Sequence, residues 1–354
     1  TCRLGPTALH PLLTLCNAKM KQIRLIRKTW SLTMGFFQIL ANKGGAFHAE
    51  ETRLLQTYYD AATHQPLENL KTGIVMMIDG RTMHGGLSDR LRGICSIYYW
   101  CKLHDVPFYI HFEYPFHLAD YLPPAAYDWT IEKTEISHHP RQAKPVLLML
   151  HLLPSKLHKF YLNRLLKQTH TKQLHVYSNT LIYDKYYNQA FKELFAYAPV
   201  LKAAVARQLE QFDQPFIAIV LRFQQLLGDF KEGNYEVLSP QKREELVTKC
   251  IGKIEQIHRT QAPSRLVLVT SESATFLQRA ATALPYVRII SGKVVHMDYT
   301  PNAGNDAYLK SFVDMVTLSH AQRIYLLRTG HMYKSGFAYR AAAINRTPYE
   351  YIEF

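Results

Sequence analysis

A glycine pair among charged residues follows the first clear strand pattern of this 354-residue chain. Residues 73–79 are apolar enough for a buried strand, and a helix is predicted over 88–104. The loop and helix start between them carry His84, Gly85, Gly86, Asp89 and Arg90. Glycines let a ligand approach the backbone, and a helix start offers free N–H groups to anions. The pattern predicts contact with a diphosphate or a sugar; the alternative is an ordinary turn with surface arginines.

A single arginine interrupts the apolar residues of a second predicted strand, over 216–223. A buried guanidinium without partner oxygens is costly, and its planar fork suits bidentate contacts with phosphate. Arg222 is therefore predicted to bind ligand oxygens. The alternative from the sequence is a salt bridge with Asp229 or Glu232.

Two further groups of small or acidic residues follow predicted strands in the second half. The first group follows strand 265–270 and consists of Ser271, Glu272 and Ser273. The second group opens a helix after strand 323–328 and consists of Ser335, Gly336 and Phe337. Hydroxyl and free N–H groups at such turns can bond phosphate or nucleoside oxygens, and simple helix capping is the alternative. Asp314, in a predicted helix, either accepts from a ligand or braces a loop.

The elements that must position these residues alternate between strands and helices. Residues 73–112 hold a strand, a loop, a helix and a second strand, which is a parallel βαβ unit. A strand over 174–178 and a helix over 188–211, broken at Pro199, follow a less regular, loop-rich stretch over 120–175. After Asp213 the alternation is regular: strands over 216–223, 265–270, 287–290 and 323–328, helices over 240–259, 274–283, 306–320 and 336–344.

This order predicts an α/β protein with two Rossmann-like, doubly wound domains that face a central cleft. We expect a basic N-terminal segment over 1–50, an N-terminal domain over 51–212 and a C-terminal domain over 213–354. Ligands of such sheets bind outside the carboxyl ends of the strands. All the residues singled out above fall at those ends or in the helices that follow them.

Charge and missing motifs narrow the function. Lys and Arg number 42 against 28 Asp and Glu, a net charge of +14 that favours an anionic partner. Nucleic acid is disfavoured because the basic residues are spread over several segments without a recognisable binding motif. The helical spacing of Lys21, Arg24, Arg27 and Lys28 fits either contact with an anionic membrane surface or a solvated helix. We expect a cytoplasmic protein, with contact at a membrane periphery left open.

Several enzyme classes lack their signatures here. The sequence has no GxxxxGK[ST] or GxGxxG loop, no GxSxG elbow and no HExxH, which disfavours kinases, dehydrogenases, serine hydrolases and zinc proteases. It has no run of the ~18–20 apolar residues that a membrane span needs. No metal site is predicted, and the five cysteines show no CxxC spacing, so we interpret them as reduced and structural.

The order of these motifs resembles that of the GDP-fucose-using fucosyltransferases of GT-B architecture. That superfamily includes protein O-fucosyltransferases, α1,6- and α1,2-fucosyltransferases and the rhizobial nodulation enzyme. The resemblance covers about residues 73–343 and rests on Gly85-Gly86-Leu87-Ser88-Asp89-Arg90, Val220-Leu221-Arg222, Ser271-Glu272-Ser273, Phe312-Val313-Asp314-Met315 and Ser335-Gly336-Phe337. The chain departs from the family at Val220, where a histidine often stands before the arginine motif.

The resemblance implies a GT-B-like fold and an inverting, metal-independent glycosyltransferase that needs no cofactor besides its donor. The donor would be GDP-fucose or another GDP-sugar, bound in the C-terminal domain, and the acceptor a glycan or glycolipid. Arg222 would bind the β-phosphate, with Ser271, Glu272, Ser273 and Asp314 on the nucleotide. Ser335, Gly336 and Phe337 would hold the pyrophosphate. A non-catalytic glycan- or nucleotide-binding protein with the same fold is the alternative.

Deprotonation of the acceptor hydroxyl calls for a general base. The sequence offers Asp89, His84 and Glu113, all close to predicted strand ends, and does not distinguish between them. The Gly85-Gly86 loop and Arg90 are predicted to contribute to donor binding.

Overall fold

The computed structural model describes residues 49–149, 155–168, 171–230, 236–300 and 302–354. These residues form two parallel β-sheets with helices packed around them, as the α/β prediction requires. Nearly all of the basic segment over 1–50, with its predicted membrane contact, lies outside the described residues. Within the described ranges, no helix combines the length and apolar character that crossing a bilayer demands.

The N-terminal sheet has four parallel strands in the order β2-β1-β4-β3. Its strands are β1 (Gly73–Ile78), β2 (Phe108–Phe112), β3 (Ala143–Leu148) and β4 (Gln173–Ser178). The helices in this half are α1 (Ala49–Tyr58), α2 (Leu87–Leu103), α3 (Ser155–Gln168), α4 (Tyr187–Leu194) and α5 (Pro199–Leu209). The central strand β1 is buried along almost its whole length, which explains its continuous apolar sequence.

The C-terminal sheet has five parallel strands in the order β7-β6-β5-β8-β9. Its strands are β5 (Ile217–Leu221), β6 (Val267–Thr270), β7 (Val287–Arg288), β8 (Arg323–Arg328) and β9 (Tyr349–Glu353). The helices are α6 (Pro240–Gln261), α7 (Ala274–Ala283), α8 (Asn305–Ser319) and α9 (Phe337–Asn345). Strand β7 keeps only two of the four residues predicted for it.

Four of these helices and strands were not predicted, α1 among them, and several boundaries differ. The edge strand β3 contains Pro145, which the loop-rich interpretation of 120–175 took as a break; an edge position tolerates proline. Helix α3 and the second edge strand, β9, were also missed. Helix α2 is capped by Gly86 rather than by Ser88, because the chain is already helical at Leu87. The predicted helix over 188–211 is indeed broken: α4 ends at Leu194, and Pro199 begins α5, where its missing N–H costs nothing.

One hydrophobic core joins the two sheets. It runs from Met76 on β1 through α8 to Leu326 on β8. Tyr121 stacks on Phe312 of α8 with ring centroids 4.7 Å apart, and the Tyr121 hydroxyl donates to the Asn305 carbonyl over 3.0 Å. Helix α8 therefore packs on the N-terminal half although the chain follows it directly with β8.

The cysteines within the described residues are consistent with the predicted structural role. Cys95, Cys101 and Cys250 are buried and form no disulfide. Burial raises the pKa of the Cys250 thiol to about 12 and that of Cys95 further still, so the reactive thiolate is disfavoured at all three positions. Cys2 and Cys16 lie outside the described residues.

Gly93 sets how closely α2 approaches the end of β4. A Cβ atom at Gly93 would lie 2.1 Å from the Ser178 carbonyl oxygen and 3.0 Å from the Cα of Asn179. Only glycine fits at this position, although it is an unfavourable residue inside a helix. The contact fixes the rotation of α2, and with it the side chains that α2 presents to the cleft.

We expect Gly93→Ala to destabilise the protein by about 1–3 kcal/mol, because overpacking outweighs the gain in helix propensity. The matched control is Gly252→Ala in α6, where an added Cβ meets no atom within 4 Å. That variant should gain up to about 1 kcal/mol. Urea unfolding of both variants measures the free energies, and a stabilised Gly93→Ala variant would contradict the close contact.

Candidate active site

A cavity of about 410 Å³ opens between the two halves, within the size range of ordinary small-molecule sites. Both halves contribute to its walls, and most of the lining comes from the carboxyl ends of strands or the helix starts that follow. The lining residues are 86–89, Arg92, 220–222, 270–272, 294–297, Ser311, Asp314 and 333–337. The cavity therefore lies at the predicted position, between two parallel sheets.

Two helix N-termini from opposite halves reach this cavity. Helix α2 begins after Gly86 and α9 after Gly336, and neither N-cap makes a side-chain capping hydrogen bond. The positive dipole ends of both helices favour an anion, although the first N–H of α9, that of Phe337, already donates to Ser335 Oγ over 3.2 Å. The lining also includes the cationic side chains Arg92, Arg222 and Lys334. This combination suits a diphosphate better than a neutral ligand.

Arg222 follows the last residue of β5 and is only partly exposed. Its Nη1 lies 3.8 Å from Glu272 Oε2, and its guanidinium lies 4.9 Å from the centroid of the Phe230 ring. The sequence offered Asp229 or Glu232 as the salt-bridge partner. Asp229 instead accepts from Ser273 Oγ over 2.8 Å and from Thr275 N over 3.0 Å, while Glu232 lies outside the described residues.

Glu272 is the buried acid beside this arginine. Its carboxylate accepts from the backbone N–H of Gln224 and from Ser271 Oγ, the latter over 3.1 Å. Burial raises the pKa of Glu272, and the charge of Arg222 opposes that shift. Glu272 therefore anchors the turn after β5 and holds Arg222 in place, while its own oxygens are largely occupied.

The predicted nucleotide contacts separate into two groups. Ser271, Glu272 and Asp314 line the cavity, but Ser273 does not. Ser273 caps α7 instead, with its Oγ accepting from Phe276 N over 3.1 Å. This is the capping role that the sequence left open for the group.

Asp314 projects from α8 and is almost fully buried with a lysine one turn earlier. Lys310 Nζ donates to both carboxylate oxygens of Asp314, over 2.6 and 2.5 Å. Burial raises the pKa of Asp314, and the ammonium group opposes that shift. Asp314 lines the cavity, whereas Lys310 does not, so the pair presents its carboxylate at this wall. The sequence did not single out Lys310.

The Gly85–Arg90 loop only partly matches the prediction. Gly86 and Asp89 line the cavity, whereas Gly85 and Arg90 do not. Arg90 is 1% exposed, and its Nη2 lies 2.6 Å from Asp298 Oδ1. The Gly85 N–H donates to Asp298 Oδ2 over 2.6 Å. The anion at this loop is thus a carboxylate of the chain itself.

Arg92 takes the place at the cavity that the prediction gave to Arg90. Its Nη2 lies 2.8 Å from Asp89 Oδ1, and its Nε donates to the Asn179 carbonyl over 2.8 Å. Residues two apart on a helix point in different directions, so only one of the two arginines can face the cavity. The close packing at Gly93 decides which one does.

The three candidates for a general base occupy different surroundings. Asp89 lines the cavity, with 34% of its side chain exposed. Glu113 lies outside the lining and pairs with Lys133, its Oε2 2.6 Å from Nζ. His84 is also outside the lining and fully buried, with Nδ1 3.1 Å from the Thr82 carbonyl oxygen. Of the three, Asp89 alone reaches the cavity.

The remaining lining residues carried weak sequence signals or none. Residues 294–297 follow β7 and line one wall, but their short apolar pair resembles any loop. Tyr333 and Lys334 lie just before the predicted helix start at Ser335. The Tyr333 N–H donates to the Arg222 carbonyl over 3.0 Å, which ties this loop to the end of β5. Within the described ranges, no group of three or more His, Cys, Asp or Glu side chains is arranged to hold a metal ion.

Burial of His84 makes stability depend on pH. Desolvation, with Arg90 nearby, lowers the pKa of His84 from 6.5 to about 4. Burial of the neutral ring therefore does not lower the free energy of unfolding above about pH 6.5. As the pH falls from 6.5 toward 4, the unfolded state takes up a proton that the buried ring does not, and the free energy of unfolding decreases. From pH 7 to pH 5 we expect the wild-type free energy of unfolding to fall, and His84→Gln to remove about 2 kcal/mol of that decrease. Urea titrations at the two pH values measure it.

The control for this measurement is His331→Gln, a change at an exposed histidine near Glu236. It should leave the wild-type dependence on pH unchanged, since no desolvated group is removed. His138, whose pKa burial also lowers to about 4, contributes to the slope in every variant. An identical slope in wild type and His84→Gln would contradict the buried neutral ring.

Solved structures show which fold this is. NodZ α-1,6-fucosyltransferase soaked with GDP-fucose aligns with a TM-score of 0.53 at 13% identity, over 77% of this chain and 93% of that chain. Selenomethionine NodZ from Bradyrhizobium aligns with a TM-score of 0.51 at 12% identity, over 77% and 92% of the two chains. The chain has the GT-B fold of these enzymes.

The same fold was predicted from the order of the motifs, and that prediction is confirmed. NodZ co-crystallised with GDP gives a TM-score of 0.50 at 12% identity, again over 77% of this chain and 92% of that one. No protein-family model matches the sequence, and no curated protein sequence does. At 12–13% identity the likeness concerns the fold, so the chemistry must be argued from the site.

Proposed function

We propose that this protein is a glycosyltransferase that moves a sugar, with fucose from GDP-fucose as the first candidate, to a glycan or glycolipid acceptor. The observation that carries the proposal is the cavity between the halves. Two helix starts and the cations Arg92, Arg222 and Lys334 surround a space of about 410 Å³. The fold shared with fucosyltransferases crystallised with GDP and GDP-fucose supports the same conclusion.

The Lys310–Asp314 pair supports guanine as the base. Guanine presents an acceptor, O6, next to the donors N1–H and N2–H₂. The Asp314 carboxylate at the cavity wall has lone pairs that can accept from N1–H and N2–H₂, and the Lys310 ammonium, outside the lining, holds that carboxylate by two hydrogen bonds. Adenine reverses this polarity at its amino group, and uracil would set its O2 acceptor against the carboxylate. We infer that Asp314 contacts the base and that Lys310 orients its carboxylate.

The remaining roles follow from position in the cavity. We propose that Arg222, Ser335, Gly336 and Phe337 contact the diphosphate, and that Ser271 and Glu272 border the nucleotide. Arg92 joins the diphosphate contacts in place of Arg90. The C-terminal domain over 213–354 would bind the donor, and the domain over 51–212 the acceptor. Membrane contact by the basic segment stays a prediction.

The reaction proposed is an inverting displacement without a metal ion. An acceptor hydroxyl oxygen forms a bond to the anomeric carbon while the bond from that carbon to the β-phosphate oxygen breaks. The hydroxyl proton passes to Asp89, and GDP leaves with the negative charge. Fixed cations and helix N–H groups aimed at that charge stabilise the transition state without rearrangement.

A thermal-shift panel of GDP, UDP, ADP and CMP tests the donor. We expect GDP to raise the unfolding temperature more than the other three, because a ligand that binds only the native state stabilises it by mass action. Incubation with GDP-fucose and mixed glycan acceptors, followed by detection of released GDP, then tests turnover. Binding without turnover would favour the non-catalytic alternative, and absence of GDP binding would refute the proposed function.

A further inference from the structure

Asp298 lies where the walls of the cavity from the two halves meet. It follows the cavity-lining residues 294–297 in the segment between β7 and α8. Its side chain is 4% exposed and lies outside the lining itself. No motif in the sequence marked it, and the mechanism above does not use it.

The Asp298 carboxylate binds both the backbone and a side chain of the opposite half. Oδ2 accepts from the Gly85 N–H over 2.6 Å, and Oδ1 from Arg90 Nη2 over 2.6 Å and the His84 N–H over 3.4 Å. Arg90 itself donates to the Gly85 carbonyl over 3.0 Å and the Tyr114 carbonyl over 2.8 Å. One buried ion pair, Arg90–Asp298, therefore binds both the N–H and the C=O of Gly85, and so holds the loop at Gly85–Gly86, called the glycine loop below.

Both backbone hydrogen-bonding groups of Gly85, its N–H and its C=O, therefore have a partner. Its φ of +84° is a conformation that favours glycine, and the two bonds hold the residue in it. Gly86, the next residue, begins the cavity lining and caps α2. A shift of the Asp298 loop would thus move the N-terminus of α2, together with Asp89, relative to the wall at 294–297.

We propose that Asp298 is a positioning residue, which fixes the spacing between the α2 and 294–297 walls so that both can contact one donor molecule. The inference rests on the proposed function, since it concerns the same cavity. Its physical reason is geometric: hydrogen bonds to a ligand weaken steeply when either wall moves by about 1 Å. Asp298 itself touches neither donor nor acceptor.

Backbone hydrogen exchange and GDP titration of the full-length protein together test this role. In Asp298→Ala we expect faster exchange of amides in both 80–90 and 291–300, and GDP affinity at least tenfold weaker than in wild type. Asp298→Asn keeps an oxygen for the Gly85 N–H but loses the charge facing Arg90. Its affinity for GDP should therefore lie between those of wild type and Asp298→Ala.

Glu193→Ala is the matched control. Like Asp298, the Glu193 carboxylate accepts three hydrogen bonds, here from the side chains of Tyr98, Lys102 and Gln189, but it joins only α2 and α4. This variant should lose stability without changing GDP affinity or exchange at the glycine loop. Its behaviour separates a loss of stability from a loss of spacing.

A double variant keeps the test decisive if Asp298→Ala does not fold. Arg90→Met with Asp298→Leu replaces the buried pair by apolar side chains, which often preserves stability. We expect this double variant to fold but to bind GDP more weakly than wild type, because the Gly85 N–H has lost the carboxylate that accepted its hydrogen bond. Wild-type GDP affinity in the double variant, or unchanged exchange at 80–90 in Asp298→Ala, would overturn the inference.

The two proposals fail in distinguishable ways. If wild type binds no GDP, the proposed function fails, while the exchange measurement on Asp298→Ala still decides whether Asp298 holds the loop. If wild type binds GDP and the affinity of Asp298→Ala is within twofold of it, only the positioning role fails.

Discussion

Arg222→Ala is expected to lower the rate of sugar transfer by about 10²–10³-fold, because removal of one fixed donor from a charge-stabilising site has that effect. The guanidinium borders the cavity at the end of β5 and lies 3.8 Å from Glu272. Negative charge would develop on the leaving diphosphate at this place. Arg222→Lys keeps the charge but not the planar fork, so its rate should fall between those of wild type and Arg222→Ala.

The rate at which GDP is released from GDP-fucose measures this effect, and the unfolding temperature of each variant shows whether the variant is folded. Arg222→Ala leaves Glu272 buried without its cation, so Arg222→Ala with Glu272→Gln is the second variant, in which both charges of this pair are removed. Arg279→Ala, at an exposed pair with Glu244, is the control and should keep the wild-type rate. A rate within tenfold of wild type both in Arg222→Ala and in Arg222→Ala with Glu272→Gln would rule out the diphosphate role.

The second large effect is expected at Asp314. Asp314→Leu leaves the Lys310 ammonium buried alone and should cost about 3–5 kcal/mol of folding stability. Lys310→Met with Asp314→Leu removes both charges and should recover most of that stability. In the double variant the preference for GDP over UDP and ADP should disappear, because the acceptor facing the base is gone together with the ammonium that orients it.

The measurements are urea unfolding for the stability and titration calorimetry with the three nucleotides for the preference. Lys102→Met with Glu193→Leu is the control, since that partly exposed pair lies within the N-terminal half. It should keep the wild-type order of nucleotide affinities. A double Lys310 and Asp314 variant that still selects GDP would show that the base is read elsewhere.

The alternation of elements could be predicted from the sequence because buried parallel strands leave continuous apolar runs. Strand β4 could be predicted although it contains His175 and Ser178, and β1, β5, β6 and β8 follow that pattern. The missed edge strands do not. Strand β3 carries Lys144 and Pro145, and β9 carries Glu350 and Glu353, because an edge strand is covered by fewer neighbours.

The site could be predicted where a residue ends a strand or starts a helix, since topology alone sends those positions to the cavity. Arg222, Ser271 and Gly336 are such residues. The choice between Arg90 and Arg92 could not be predicted, because it depends on the rotation of α2. Asp298 left no local pattern at all: its partner Arg90 is 208 residues away in the chain.

The contact of α8 with the N-terminal half has a consequence for how this chain acquires its structure. Phe116 and Tyr121 emerge early in synthesis, yet the rings of Tyr308 and Phe312 that cover them come from a helix near the other end. Until α8 is made, the first half exposes that apolar surface. The packing around the two sheets of the protein is therefore completed together, and neither half is a finished folding unit while the other is absent.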